Sequence, residues 1–415
     1  MKQIAIGLLI FAVPAFGGDW LQWRGPELNG TCDANNLPAS WSVESGENVA
    51  WSCDLPGLGS STPIVVGDHI FLTTHSDDDR LDAICIDRKA GRISWKKKMG
   101  SGKKALRGNT MASPSAVSDG KTVWFLFGQG TLAAMSMEGT ELWKRELRED
   151  HGELSPKFGF SSSPLLHEGK LYIPLLYLPK GEQKAPNSGN CLMAIDAVTG
   201  ETLWTVERKT KAIKESHDSY ITPIIAKNGL VVTGADVATC HDPETGKEKW
   251  RYDFAKGDHK TNWRIISGPV AAGDLVVSAY PRGRTLVALK PDGSKRWEYE
   301  GRIPDVCTPA YEDGLLYVLD GAKRYLTCID ARNGSEIWQE KIPSDKGFFG
   351  SPLVADGKVY MINHNAEVFV YAAGRNATRI NRIPMSGKNS FASIVAVDDT
   401  LYIRTPDKLV CARAK

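Results

Sequence analysis

Short apolar runs of four to eight residues, broken by polar positions and closed by glycine-containing turns, recur along nearly the whole chain. The clearest unit opens at Ser163-Pro164-Leu165-Leu166, turns at Glu168-Gly169 and continues through the alternating run from Lys170 to Tyr177. After a loop it resumes at Leu192-Met193-Ala194-Ile195-Asp196, turns at Thr199-Gly200 and ends at Glu201-Thr202-Leu203-Trp204. Runs of this length and composition predict strands, and four of them joined by turns predict a small antiparallel meander.

The unit repeats. Seven tryptophans, Trp51, Trp95, Trp143, Trp204, Trp250, Trp297 and Trp338, stand at intervals of 44, 48, 61, 46, 47 and 41 residues. An opening proline accompanies them at Pro63, Pro114, Pro164, Pro223, Pro269, Pro309 and Pro352. A first-turn glycine follows at Gly67, Gly120, Gly169, Gly229, Gly273, Gly314 and Gly357, and a second at Gly91, Gly139, Gly200, Gly246, Gly293 and Gly334. Proline suits the first residue of a strand, and glycine suits a tight turn that needs positive φ. Length alone would suggest two or three domains, but a period of this size overrides that prior.

A seventh copy, from Ser351 to about Arg382, keeps the first hairpin and lacks a tryptophan. An eighth starts near Ser393 and stops one strand short, while Asn48 to Cys53 reads as a fourth strand with no first three. Joining the two ends closes a ring. The expected fold is all-β: an eight-bladed β-propeller of four-stranded antiparallel blades with about 46 residues per blade, in which the strand around Trp51 completes the C-terminal blade. Closure removes the exposed edges of an open array. The expected divisions are a signal peptide at 1–17, an N-terminal extension at 18–47 and a single propeller at 48–415. The seven tryptophans are expected to dock blade against blade.

Ala194-x-Asp196-x-x-Thr199-Gly200-x-x-x-Trp204 resembles the tryptophan-docking motif of the pyrroloquinoline-quinone (PQQ) repeat propellers. The copies ending at Trp250 and Trp338 match closely, the one ending at Trp95 is near, and those ending at Trp143 and Trp297 have a shorter turn. The resemblance covers essentially the whole chain after residue 17. Two branches matter. Quinoprotein dehydrogenases of the superfamily carry a vicinal cysteine disulfide over the quinone and a Glu/Asn/Asp calcium site, and this chain has no Cys-Cys. It also lacks Cys-x-x-Cys-His, the attachment signature of a c-type haem. The other branch is similar to BamB, a propeller of outer-membrane protein assembly, whose lipidated cysteine has no counterpart near residue 18. The opening Trp20-x-x-Trp23-Arg24-Gly25-Pro26 looks most like secreted propellers of planctomycete-type bacteria. The resemblance implies a scaffold without a cofactor, PQQ with calcium being the departure from that expectation.

Lys2, the apolar run Ile4 to Val13 and Ala15-Phe16-Gly17 read as a leader with its cleavage site, so export to the periplasm is expected. No second apolar segment is long enough to span a membrane. The formal net charge of +2, from 51 basic and 49 acidic side chains, does not suggest a nucleic-acid partner. Of eight cysteines, Cys85, Cys240, Cys328 and Cys411 fall at one repeat position, which the ring holds apart. They read as small core residues, with no metal site expected. Cys32 and Cys53 are the pair outside this pattern that a disulfide can join. Asp77-Asp78-Asp79 lacks the EF-hand spacing and reads as a solvated acidic turn.

Loops between blades, and between second and third strands, open on one face beside the axial channel. Read in order, they supply Arg107, Asn109 and Thr110; Lys157, Phe158 and Phe160; His217, Asp218 and Tyr220; Asn262, Trp263 and Arg264; Asp305; Phe348 and Phe349; and Asn389 and Phe391. Aromatic walls with a few polar groups make a concave binding site the expectation. Trp263, Arg264 and Phe348 are the preferred anchors for a protein, peptide or glycan partner. The long segment 179–190 reads as a lid, a partner contact or a solvated loop. The expected function is a non-catalytic, monomeric binding ring. The alternatives are a PQQ-dependent oxidoreductase with an atypical site and a carbohydrate-active enzyme using His217, Tyr220 and Arg264. Neighbouring residues on a strand point to opposite sides, so His217 and Asp218 need not cooperate.

Overall fold

The computed structural model describes residues 18–103, 109–178, 190–281, 284–385 and 387–414. The strands form eight four-stranded antiparallel sheets, each in simple sequential order except the last. In the eighth sheet Val49–Asp54 pairs with Lys408–Arg413, placing Trp51 beside Cys411 and closing the ring through the N-terminal strand. The fold is the expected eight-bladed propeller. The described helical segments are one short α-helix, Leu147–His151, and one 3-10 turn, Lys214–His217.

The innermost strands are short: Ile64–Val66, Val117–Ser118, Leu165–His167, Ile224–Ala226, Val270–Ala272, Ala310–Glu312, Leu353–Ala355 and Val395–Val397. Their positions correct one feature of the repeat. Pro63 directly precedes the first of these strands, but Ala116, not Pro114, directly precedes the second, so Pro114 lies two residues upstream of the equivalent site. Ile394 takes that site in the eighth blade.

The core lies between blades rather than within them. One cluster joins Trp124 and Leu126 of the second blade to Leu171, Ile173 and Met193 of the third. The outer-strand tryptophans lock the same seams. Indole Nε1 donates to a turn carbonyl of the following blade: Trp51 to Arg88, Trp95 to Met137, Trp143 to Ala197, Trp204 to Pro243, Trp297 to Ala331 and Trp338 to Gly374, at 2.8–3.1 Å. The rings of Trp51, Trp95, Trp143, Trp204 and Trp297 lie over that turn's glycine, whereas Gly374, in the turn that Trp338 reaches, has no such neighbour. At Gly246, with φ of +71°, a Cβ would sit 2.7 Å from the Trp204 ring, so both the conformation and the space require glycine. Across the strand from each tryptophan stands a small residue: Cys85, Ala134, Ala194, Cys240, Ala288, Cys328 or Cys411.

Trp250 breaks the pattern. The equivalent carbonyl, of Pro291, accepts from Asn228 instead, and Trp250 Nε1 is buried without a partner. The seventh blade has Asn381 where a tryptophan is due, opposite Val370. Asn381 Nδ2 donates to Ala39 O of the N-terminal segment, and Trp41 from that segment is buried against Ile383, Met385 and the eighth blade. A tryptophan from elsewhere in the chain thus packs beside the seam that lacks its own. All eight cysteines are free thiols, so Cys32 and Cys53 form no bridge. Cys32 Sγ donates to Ala396 O and Cys53 Sγ to Asp54 O. Within the described residues no helix is long and apolar enough to cross a membrane.

Trp204→Ala removes an indole and its interblade hydrogen bond, a loss of about 3 kcal/mol. Calorimetry is expected to show a lower melting temperature, and an unchanged curve would exclude the docking role.

Candidate functional site

Each innermost strand is entered through a residue that faces the axis: Thr62, Ser115, Ser163, Thr222, Gly268, Thr308, Ser351 and Ser393. These residues bond in a circle. Thr62 N donates to Ser115 Oγ, Ser115 N to Ser163 Oγ and Ser163 N to Thr222 Oγ1, at 2.9, 2.9 and 3.2 Å. Gly268 N donates to Thr308 Oγ1, Thr308 N to Ser351 Oγ, Ser351 N to Ser393 Oγ and Ser393 N back to Thr62 Oγ1, at 2.8, 2.9, 3.0 and 3.2 Å. Gly268 is the one member without a hydroxyl. A Cβ there would lie 3.1 Å from Thr308 Oγ1, a tight approach, and 3.6 Å from the Trp23 ring, an ordinary contact, so the indole packs beside the glycine.

Trp23 belongs to an N-terminal segment that circles the lower channel and meets the blades in order. Trp20 forms an antiparallel bridge with Val65, Leu21 O accepts from Ser118 N, and Gln22 Oε1 accepts from Leu166 N. Leu28 packs on Ile224 and Val276, Asn29 O accepts from Tyr311 N, Gly30 O accepts from Val354 N, and Cys32 reaches Ala396. Arg24 is the fastener. It is 3 % exposed, and its guanidinium donates to Pro352 O at 2.8 Å and Pro309 O at 2.9 Å. Burial lowers its pKa to about 9, which leaves it charged at neutral pH. The channel is therefore closed from below.

Above the hydroxyl circle, two residues earlier on each strand entry, lies a second tier: Ser60, Ser113, Ser161, Tyr220, Ile266, Val306, Phe349 and Phe391. One side is small and polar, the other large and mostly apolar. The two tiers and Trp23 enclose a cup of about 470 Å³. Its rim carries Asn109, Phe158, Arg264, His364 and Asn389. Phe349, His364 and Phe391 form an aromatic trio with centroids 4.9–5.1 Å apart. Burial holds His364 below the usual histidine pKa. Arg264 lies over the Phe158 ring at 4.6 Å, while Glu215 accepts from both Arg264 and Lys157. The Tyr220 hydroxyl accepts from Phe158 N at 3.3 Å, and burial raises its pKa. A side groove of about 410 Å³ leaves the cup past Ser60, Asn109, Asn389 and Phe391 towards Leu58 and Lys388.

The structure brings Asn109, Tyr220, Arg264 and Asn389 to the cup, together with Phe158, Phe349 and Phe391, while Thr110 lines the side groove. It places other candidates elsewhere. Phe348 is 2 % exposed and turns into the core against Phe369; being adjacent to Phe349, it faces the opposite side. Phe160 is buried in the seam between the second and third blades. Trp263 packs edge-on against Tyr280, 5.7 Å away, instead of facing the axis. Lys157, Asn262 and Asp305 lie off the cup lining. His217 bonds Asn190 Nδ2 at 2.7 Å and Asp218 accepts from Lys157 N at 2.8 Å, so each is held by its own separate partner. With His217 off the lining, His217, Tyr220 and Arg264 do not converge there. Arg107 and residues 179–189 lie outside the described residues.

Sequence reasoning missed the hydroxyl circle, Trp23 and His364. Five of the circle's hydroxyls were legible as the Ser or Thr before Pro63, Pro164, Pro223, Pro309 and Pro352. His364 gave no signal, because the turn after the second strand of the seventh blade looks like any other.

The family model described as outer membrane protein assembly factor BamB matches residues 32–173 and 188–415. A polyvinylalcohol dehydrogenase of Sphingopyxis sp. (strain 113P3) is 23% identical over 366 residues, covering 75% of this chain and 49% of that protein. BamB of Shewanella oneidensis is 24% identical over 197 residues, covering 42% of this chain and 48% of that protein. The chain thus spans about half the length of the curated relatives it matches. Among solved structures, BamB from Moraxella catarrhalis superposes with a TM-score of 0.63 at 13% identity, covering 88% of this chain and 97% of that one. A europium-containing methanol dehydrogenase superposes with a TM-score of 0.69 at 12% identity, covering 95% and 89%. At these identities the structures share the fold.

Arg24→Ala leaves two buried carbonyls without their charged donor, a cost of about 3 kcal/mol. Hydrogen exchange is expected to show faster exchange at the amides of Tyr311 and Val354, which bond to the same segment. Unchanged protection would show that Arg24 does not fasten it.

Proposed function

The chain belongs to the family of outer membrane protein assembly factor BamB, and on that footing we propose that it is a non-catalytic binding propeller holding a protein, peptide or glycan at the mouth of its cup. The observation that carries this reading is the chemistry of the lining. It is concave, closed below, aromatic on one side and hydroxyl-rich on the other, as a recognition pocket requires. Among the described residues that line it there is no carboxylate and no cysteine, so they offer neither a paired acid and base nor a thiol nucleophile. The BamB relatives support a protein partner. Residues 1–17 act as an export leader to the periplasm, 18–47 as the segment that closes the channel, and 48–415 as one monomeric propeller.

The match to polyvinylalcohol dehydrogenases motivates a second reading, a quinone-dependent oxidoreductase. The residues present do not fit a quinone held by a metal ion. Among the described residues the lining has no carboxylate, and there is no group of three His, Cys, Asp or Glu side chains able to hold one.

Two measurements separate these readings. Titration calorimetry with PQQ and calcium is expected to give no heat, whereas tight one-to-one binding would move the chain to the oxidoreductases. A photocrosslinker at Asn389, on the rim, is expected to trap a partner in intact cells, while one at Glu138, in a turn of the opposite face, traps none. Equal trapping from both faces, or none from the rim, would overturn the cup as the binding site.

A further inference from the structure

The cup's two walls and its floor differ in charge as well as polarity. The seven hydroxyls of the floor are each at least nine-tenths buried, and each oxygen accepts a backbone N–H from the preceding member of the circle or from Gly268 or Ser393. Among the described residues, none of the seven donates its own proton to a protein acceptor. A hydroxyl has one proton to give, so the floor presents a ring of unused donors. Beneath and beside it lie two buried cations. Arg24 sits 5.9 Å under the Trp23 ring, and Arg404 donates to Ser61 O at 2.8 Å, between two residues that line the cup. Neither pairs with a carboxylate among the described residues; both are held by carbonyl and hydroxyl oxygens. At the rim Glu215 is shared between Arg264 and Lys157, and Asp218 accepts from Lys157 N beside them, so these two cations and two carboxylates balance. In a site closed from below and, among the described residues, lined without acids, the two buried guanidiniums favour an anion.

The opposite wall sets the rest of the ligand. Phe349, Phe391, Ile266 and Val306 form an apolar surface directly above the donor ring. The side groove then leads away between the eighth and first blades. Resting on the reading of the cup as a binding site, we infer that it takes the C-terminal carboxylate of a peptide chain ending in an aromatic or large aliphatic residue. The carboxylate meets the hydroxyl ring, the last side chain lies on the apolar wall, and the preceding residues leave through the groove. A blind cup suits a chain end, and capture of a terminal carboxylate by converging donors is an established mode of peptide recognition.

The test uses the full chain and fluorescence anisotropy with a labelled hexapeptide ending in phenylalanine. The free acid is expected to bind at least 30-fold more tightly than the same peptide as its C-terminal amide. Phe391→Ala is expected to weaken it about tenfold, and Ser161→Trp, which fills the polar side of the cup, to abolish it, with melting curves confirming that both variants fold. Phenylacetate competing as tightly as the peptide would assign the carboxylate to a small aromatic acid and overturn the peptide. Equal binding of acid and amide would overturn the carboxylate. Binding of neutral oligosaccharides alone, blocked by Ser161→Trp, would overturn the peptide while keeping the cup as the binding site. Binding of any of these unaffected by Ser161→Trp, or no binding at all alongside rim crosslinks insensitive to that change, would overturn both.

Discussion

Eight sheets that meet at an axis must satisfy their strand-entry amides where no neighbouring strand can reach them. The circle of hydroxyls from Thr62 to Ser393 meets that need. A buried amide without a partner costs free energy comparable to a lost hydrogen bond, so each link stabilises two blades at once and fixes their relative height. The links run head to tail around the axis, each from one blade to the next. The circle also faces every hydroxyl proton away from the bond it accepts, and so equips the floor of the cup.

The single gap in the circle, at Gly268, belongs to the same design. Trp23 packs beside it, and Trp23 belongs to the segment that closes the channel from below. A symmetrical stack of blades would leave an open tube. The N-terminal segment turns it into a cup by bonding in sequence along the inner strands, with buried Arg24 tying it to the sixth and seventh blades. An arginine without an acid partner is tolerated there because its donors reach carbonyl oxygens that would otherwise lack partners.

Rim and axis divide the work. The outer tryptophans close the seams by placing an indole over a glycine and a donor on a carbonyl, and they contribute nothing to the cup. Where the seventh blade lacks its tryptophan, Trp41 and Asn381 bring in the N-terminal segment instead. That one segment thus serves the floor of the cup, the weak seam and, through Val49–Asp54, the closure of the ring.

The sequence by itself determined the eight-bladed ring, its closing strand and the docking role of the tryptophans. Those features repeat, and a repeated constraint leaves a repeated residue. It also placed Asn109, Tyr220, Arg264 and Asn389 on the face where the cup opens, because loop position follows from strand order. Only the tertiary structure decided which of two adjacent residues faces the axis. Phe349 lines the cup and Phe348 the core, a difference of one residue in a strand entry whose register depends on the neighbouring blade. The circle of hydroxyls, the fit of Trp23 against Gly268 and the setting of His364 likewise arise from contacts between residues tens to hundreds of positions apart. No local pattern records such contacts, since each half of the bond is an ordinary serine, glycine or histidine until the ring brings the other half to it.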